Sequence, residues 1–347
     1  SPAYTTGTAV NLKLTDGPMG SGRYRLTIGA GLTDLVGNAL DGNGDGTGGE
    51  AYVRTFNVAL PAGYTFEGRS NYGLATATAI PMVEDPTGVL IGRGVGSLDP
   101  SSDQDWWSVS LRAGDKFEVA LESDAFWIRL YNSAGQEQWY ENDGGPRYSD
   151  YYSYWNAPTD GTYYVRVGTH GGVGTYTLRL MAVRGMDLES DREYANNSTG
   201  EADPRSFSQE GNVQRATVAG TIMSRQWGTV DVDYYALGVL NAGNTVELTT
   251  RLPGSSLLAP LVQVVNSAGV AVTDTDGRDE GFSGTIAASD SYYAVVSSAY
   301  WVRNGHRYRL TPGDTWANAE AYAQTLGGHL VAINDQAEQE WVYGTFA

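Results

Sequence analysis

Two acids set one residue apart, followed at once by paired aromatics, occur twice in this chain. The first copy is Asp103-Gln104-Asp105-Trp106-Trp107 and the second is Asp231-Val232-Asp233-Tyr234-Tyr235. The surrounding text repeats with it. Asn132-Ser133-Ala134-Gly135 returns as Asn266-Ser267-Ala268-Gly269, and Asp160 with Tyr163-Tyr164 returns as Asp290 with Tyr292-Tyr293. The offsets are 128 residues (103 to 231), 134 (132 to 266) and 130 (160 to 290). A nearly constant offset over successive landmarks marks one supersecondary module used twice. In both copies the aromatics open a run of alternating apolar and polar residues, so the module is built from strands.

Composition narrows what such modules can do. The 347 residues include 45 Gly, 23 Tyr and 9 Trp, but no Cys. Many glycines with many aromatics fit short strands joined by tight turns, and this length suggests two to four domains. Without Cys there are no disulfides, thiol nucleophiles or thiolate metal sites. The net charge of −18 repels phosphate backbones and anionic lipid, so neither nucleic acid nor membrane is an expected partner. It attracts calcium, a hard cation that takes carboxylate and carbonyl oxygens. No apolar run reaches the roughly 18 residues of a membrane span. The chain opens at Ser1-Pro2-Ala3 with no visible leader, as a mature or internal fragment would.

In chain order, Val10, Leu12 and Leu14 alternate with polar residues, as do Tyr24, Leu26 and Ile28, and Val53, Phe56 and Val58 close the block. Between them stands Asp41-Gly42-Asn43-Gly44-Asp45-Gly46, with Glu50 shortly after. Asp, Asn and Asp at alternate positions with glycine in the turn copy the first half of a calcium loop. Alternation aims three oxygens to one side of a curling backbone, and Glu50 can close the shell. A solvated Gly/Asp turn is the competing reading. Gly44-Asp45-Gly46-Thr47-Gly48-Gly49 also satisfies a dinucleotide fingerprint, but no βαβ unit surrounds it and acids stand where phosphate would sit. Tyr24 to Ile28, Leu32-Thr33-Asp34, Gly37 to Asp41 and Phe56-Asn57-Val58 resemble the C-terminal half of a bacterial Ig-like domain. That resemblance implies an open edge at residues 1–63, which the same polypeptide or another copy would cover.

Residues 64–185 carry the first repeat. Strands are expected at Leu90–Gly92, Trp107–Leu111, Phe117–Leu121, Ile128–Tyr131, Tyr163–Val167 and Tyr176–Leu180. The block resembles the bacterial pre-peptidase C-terminal module, a jelly-roll-like sandwich that also serves as a collagen-binding module in some secreted proteases. The resemblance rests on Glu67 with Asn71, on Asp103-x-Asp105 before Trp106-Trp107, on Arg112-Ala113-Gly114-Asp115, on Leu130 to Gly135, and on Gly161 to Val167. It implies that Glu67, Asn71, Asp103 and Asp105, with Asp99 nearby, jointly hold calcium. Exposed acids at a strand start are the alternative. The segment Tyr148 to Trp155, with Trp139 and Tyr140, is crowded with aromatics, which either stack on a sugar or protein partner or fill one face of the sandwich.

Residues 186–308 carry the second repeat, where Glu193, Asn196, Asp231 and Asp233 are the counterpart ligands. From 309 to 347 the period shifts toward that of helices. Trp316, Ala319, Ala323 and Leu326 share a helical face, His329–Ile333 reads as a strand, and Asn334-Asp335 caps a second helix. Trp316-x-x-Ala319, Leu326 to Ile333 and Glu338-x-x-Trp341 resemble the opening of a C-type lectin-like domain.

His170, His306 and His329 are scattered, and neither a zinc-protease nor a nucleophile-elbow motif occurs. The acid clusters sit in turns beside Gly or Asn, which suits a cation better than a desolvated general acid. The expected fold is all-β: tandem antiparallel sandwiches comprising an Ig-like half domain and two jelly-roll-like modules, ending in a short α+β lectin-like piece. The expected role is non-enzymatic, namely a calcium-stabilised structural or adhesive protein outside the cell or on a bacterial surface. Its expected partners are other copies, neighbouring domains, or an extracellular glycan or protein. The alternative is a substrate- or carbohydrate-binding appendage of a large secreted hydrolase.

Overall fold

In the computed structural model the described residues are 17–59, 62–122, 126–141, 150–169, 171–190, 195–222, 231–256, 258–303, 306–311, 315–325 and 327–346. Strands dominate, and there are two helices among these residues. The expected strand at Val10–Leu14 lies outside them.

β1 (Gly22–Ile28) and β2 (Tyr52–Val58) pair antiparallel over their full length. Tyr24 stacks on Phe56 directly opposite, with ring centroids 5.8 Å apart. After them come β3 (Thr65–Phe66), β4 (Thr78–Ala79), β5 (Val83–Glu84) and β6 (Val89–Leu98). The first repeat then supplies β7 (Asp105–Leu111), β8 (Lys116–Glu122), β9 (Phe126–Tyr131), β10 (Glu137–Glu141), β11 (Asp150–Asn156), β12 (Gly161–Thr169) and β13 (Gly174–Val183). One sheet runs β10-β9-β12-β7-β4. The other runs β11-β8-β13-β6-β3, with β5 added to β6. The two short lead-in strands β3 and β4 join in parallel, one to each sheet, and the long strands are antiparallel.

Alternation decides what the sheets enclose. Trp107, Val109 and Leu111 of β7 face inward with Ile128 and Leu130 of β9 and Val165 and Val167 of β12. Phe117, Val119 and Leu121 meet them from the other sheet, with Leu178 and Leu180. Trp107 is the largest side chain fully buried there, and its indole nitrogen donates to the Tyr176 hydroxyl at 2.8 Å. Within the aromatic-rich segment, Trp139 belongs to this core and Trp155 packs edge-on against Tyr163, with centroids 5.0 Å apart. Tyr140, one residue on, points outward.

The second repeat supplies β14 (Asp187–Leu188), β15 (Asp203–Pro204), β16 (Ser208–Glu210), β17 (Val213–Arg215), β18 (Val218–Ala219), β19 (Asp233–Leu240), β20 (Thr245–Thr249), β21 (Ala259–Asn266), β22 (Gly281–Thr285), β23 (Asp290–Arg303) and β24 (His306–Tyr308). β15-β19-β23-β21 form the main sheet, with β24 on β23, and β20 pairs β22. Val262, Val264, Phe282, Ile286 and Tyr292 are its buried centre. The repetition is structural down to single turns. Asn132 accepts from Gly135 and, through its side chain, from Ala134, and Asn266 accepts in the same way from Gly269 and Ala268. Tyr163 and Tyr292 each donate to the carbonyl four residues upstream, Thr159 and Ala288.

The linker fastens the repeats together. Leu188 and Ala219 pack on Val89, Met181 and Val183, the outward face of the first sandwich's six-stranded sheet. Lys116 pairs with Asp187 at 2.8 Å.

The helices are α1 (Trp316–Thr325) and α2 (Gln336–Phe346). Ala319 and Ala323 are buried as the period requires, but Trp316 is 72% exposed and Leu326 lies outside the described residues. No strand forms at His329–Ile333. Among the described residues no neighbouring backbone pairs with it, and the amide of Leu330 donates instead to the Glu320 carboxylate at 2.9 Å. Asp335 caps α2 by accepting from the amide of Glu338, whose carboxylate reaches back to the amide of Asn334.

Trp107 fills the centre between the sheets, so Trp107→Ala removes packing and a buried donor together. We expect a loss of about 3–5 kcal/mol in denaturant unfolding. A loss below about 1 kcal/mol would contradict this assignment of the core.

Candidate metal centre

The lead-in of the first sandwich crosses the head of β7, and the crossing buries four polar side chains. Glu67 follows β3, and its amide donates to the Val95 carbonyl of β6 at 3.0 Å. This aims its carboxyl between the sheets, where Oε1 accepts from the amide and hydroxyl of Ser97 at 2.9 and 3.2 Å. The carbonyl of Asn71 accepts from the amide of Trp106 at 2.9 Å and so fixes Asn71 beside Asp105. Asp103 accepts from the amides of Gln104 and Asp99. Asp105 accepts from the Tyr176 hydroxyl at 2.7 Å, the same hydroxyl that receives Trp107. Asp105 and Asn71 are each only 1% exposed, and Glu67 and Asp103 are also buried.

Buried carboxyls this close resist ionisation together. Burial pushes Glu67 well above the carboxylate range, and Asp105 beside it pushes it further. Burial also raises Asp105, and the charge of Asp103 adds to the shift, while bonds from Glu67, Tyr176 and Asn71 oppose it. Ionised, Glu67 Oε2 has no donor within reach among the described residues, and it bonds Asp105 only by holding a proton. The Asn71 amide sharpens the point. Its inner terminal atom lies 3.1 Å from the Gly68 carbonyl and 3.0 Å from Asp105 Oδ1. With nitrogen there it donates to both. With oxygen there, three oxygens converge, an arrangement that is stable only around a cation.

The second repeat builds the same junction. The amide of Glu189 donates to the Ala219 carbonyl at 3.0 Å as Glu67 does to Val95, and its Oε1 accepts from the amide of Thr221 as Glu67 does from Ser97. The carbonyl of Asn196 accepts from Tyr234 at 2.9 Å as Asn71 does from Trp106. Asp231 and Asp233 are buried at the head of β19. Tyr235, at the position of Trp107, places its hydroxyl 2.8 Å from Glu189 and 3.0 Å from Asp233, so one proton serves two carboxyls. The side-chain amide of Asn196 is buried, and among the described residues neither of its terminal atoms has a hydrogen-bond partner.

The expected ligand Glu193 lies outside the described residues. Glu189 fills the place equivalent to Glu67. Proximity to the asparagine points to Glu193, whereas strand pairing points to Glu189. The usable signal is the apolar residue in front, Phe66-Glu67 against Leu188-Glu189, because the glutamate must follow a lead-in strand.

The Asp41 loop is a separate cluster. Asp41 accepts from the amides of Gly44, Asp45 and Gly46, and Asp45 from that of Thr47. These backbone bonds, led by Gly46 for Asp41 and by Thr47 for Asp45, hold both carboxyls below their ordinary range. Asp41, Asp45 and Glu50 each bring one oxygen within 4.8 Å of the others. Asn43 is exposed, its amide nitrogen donating to Asp45 at 3.0 Å. Gly42 and Gly48 lie against the backbone of Ala51 and Ala39, where a Cβ would collide, so the loop closes only with glycine there.

The bacterial pre-peptidase C-terminal domain is the family whose model matches this chain, over residues 103–169. That stretch is one such domain, a non-catalytic module often found in secreted proteases. Among solved structures, the chain is similar to the pre-peptidase C-terminal domain of collagenase from Bacillus anthracis, at 19% identity and a TM-score of 0.22, covering 25% of this chain and 86% of that one. It is similar also to Aeromonas hydrophila PliG, a periplasmic inhibitor of g-type lysozyme, at 14% identity and a TM-score of 0.24, covering 31% and 96%. A fucolectin from striped bass (Morone saxatilis) serum matches at 12% identity and a TM-score of 0.19, covering 60% and 80%. None of the curated proteins matches.

Carboxyls raised above their free range bind protons more tightly in the folded chain than in the unfolded one. Metal-free stability therefore falls as pH rises from the free carboxylate range near 4 upward. Glu67→Gln keeps the shape and removes the ionisation. In chelator its melting temperature should exceed the parent's by a margin that widens from about pH 5 to about pH 8. A margin that narrows would contradict the assignment.

Proposed function

We propose that this chain is a non-catalytic, calcium-braced segment of an extracellular structural or adhesive protein. One observation carries the reading: the two repeats bury equivalent clusters, Glu67, Asn71, Asp103 and Asp105, and Glu189, Asn196, Asp231 and Asp233, where each lead-in crosses its sheet. Four acids and amides gathered in such a place are costly unless neutralised. A hard divalent cation with carboxylate and amide oxygens neutralises them and ties the lead-in to the sandwich at the same time. Asp41, Asp45 and Glu50, with Asn43, would hold a further ion on the loop before β2. When bound, the metal supplies charge neutralisation and cross-linking, and the chain's own residues supply the orientation.

The pre-peptidase match supports placement outside the cell, since such domains occur in secreted proteins. Among the described residues no helix is long and apolar enough to cross a membrane. The same match supports the second reading, an appendage of a secreted hydrolase whose chemistry resides elsewhere. Self-association is the partner proposal that fits β1 and β2, a two-stranded sheet with both edges open among the described residues.

Calcium at a hundredfold excess over Kd should stabilise the chelator-stripped chain by about 2.7 kcal/mol per site, read as a raised melting temperature. Glu67→Gln combined with Glu189→Gln should abolish most of that rise. An identical melting temperature with calcium and with chelator, and no metal by elemental analysis, would overturn the reading.

A further inference from the structure

The outward face of the β10-β9-β12-β7 sheet carries a feature that neither the repeat nor the acid clusters explain. In register across four strands stand Trp106, Arg166, Arg129 and Tyr140. The two arginines are directly opposite each other, a like-charge cross-strand pair of the kind that destabilises a sheet. Aromatic rings hold them in place. The Arg166 guanidinium lies 5.5 Å from the Trp106 ring and 4.9 Å from Trp127, and that of Arg129 lies 5.1 Å from Trp127 and 4.2 Å from Tyr140. Trp127 can lie across the sheet because the residue opposite is Gly168, where any Cβ would run into the indole.

The polar groups on this face are not all matched. Arg129 pairs with Glu137 at 2.9 Å. Arg166 reaches only the Tyr131 hydroxyl, at 3.4 Å, and among the described residues no carboxylate pairs with it. The Nε atoms of both arginines are buried without a hydrogen-bond partner. In a chain with 40 acids and 22 lysines and arginines, two stacked guanidiniums are thus set side by side, and one acid, Glu137, pairs with one of them.

We propose that this row is a recognition strip for an acidic polysaccharide. Guanidinium forks match carboxylate and sulfate groups. The row spans three interstrand spacings, about 14 Å, from a buried end at Trp106 to an exposed end at Tyr140. Tyr140, 39% exposed at its outer end, offers a ring to the apolar face of a sugar. The body's charge of −18 opposes any polyanion, so an acidic polymer would be held here by the two guanidiniums and the rings beside them and not by the chain's net charge. A protein partner would want apolar anchors at the centre, where this strip presents charge.

The test is binding of the full chain to dextran sulfate, with neutral dextran and polyglutamate as comparisons, at low and high salt. Dextran sulfate should bind, weaken with salt and lose about tenfold or more in affinity on Arg166→Gln. Neutral dextran should not bind, and polyglutamate should bind more weakly. Near-UV circular dichroism checks that Arg166→Gln retains the fold. Should it not, Tyr140→Ala replaces an outward residue and should weaken binding severalfold. Equal binding of dextran, equal binding of polyglutamate, or unchanged affinity in the folded variants would each overturn the proposal.

Discussion

The hydrogen-bonded line from Trp107 through the Tyr176 hydroxyl to Asp105 is the interaction on which the first sandwich turns. It joins the centre of the hydrophobic core to a buried carboxyl at the head of β7. Burial keeps the Tyr176 phenol protonated, raising it well above its ordinary range, with Asp105 and Glu67 adding to the effect. The donor that Asp105 needs is therefore permanent. Around that fixed carboxyl the lead-in places Glu67 and Asn71, so the packing of the core and the placement of the acids are one problem with one solution.

The second repeat solves it with fewer parts. Tyr235 stands where Trp107 does and carries its own hydroxyl to both Glu189 and Asp233. Burial and then the charges of Glu189 and Asp233 keep that phenol protonated as well. Two different aromatic arrangements thus converge on the same acid junction. The junction, more than any one aromatic, is what the repeat preserves. The linker acids also have structural work: Asp187 pairs with Lys116 across the repeats, and Asp203 accepts from the amide of Ser190.

Much of this architecture is legible in the amino-acid sequence. Alternation locates β7, β9 and β12 because every second residue faces the core between the sheets, and the repeated Asn-Ser-Ala-Gly turns carry the same bonds. Glu67, Asn71, Asp103 and Asp105 are legible through the family resemblance, and the fold brings them together. Glu189 is not, because the pairing of Leu188 with Ala219, and not sequence spacing, sets its place. His329–Ile333 has the pattern of a strand without its structure, for a related reason. An apolar run becomes a strand only when a partner backbone meets it, and Leu330 finds a carboxylate instead. The Arg129–Arg166 pair is invisible in the sequence because register, which residue spacing does not reveal, sets the two side by side.

What neutralises the acids at the head of β7 decides whether calcium braces this fold. A high-resolution crystal structure grown with calcium answers it at one atom, the inner terminal atom of the Asn71 amide. Calcium bracing predicts oxygen there, with Glu67, Asp103 and Asp105 around an ion at about 2.3–2.6 Å. An amide nitrogen there, donating to Gly68 and Asp105 with no ion between the carboxyls, would contradict it.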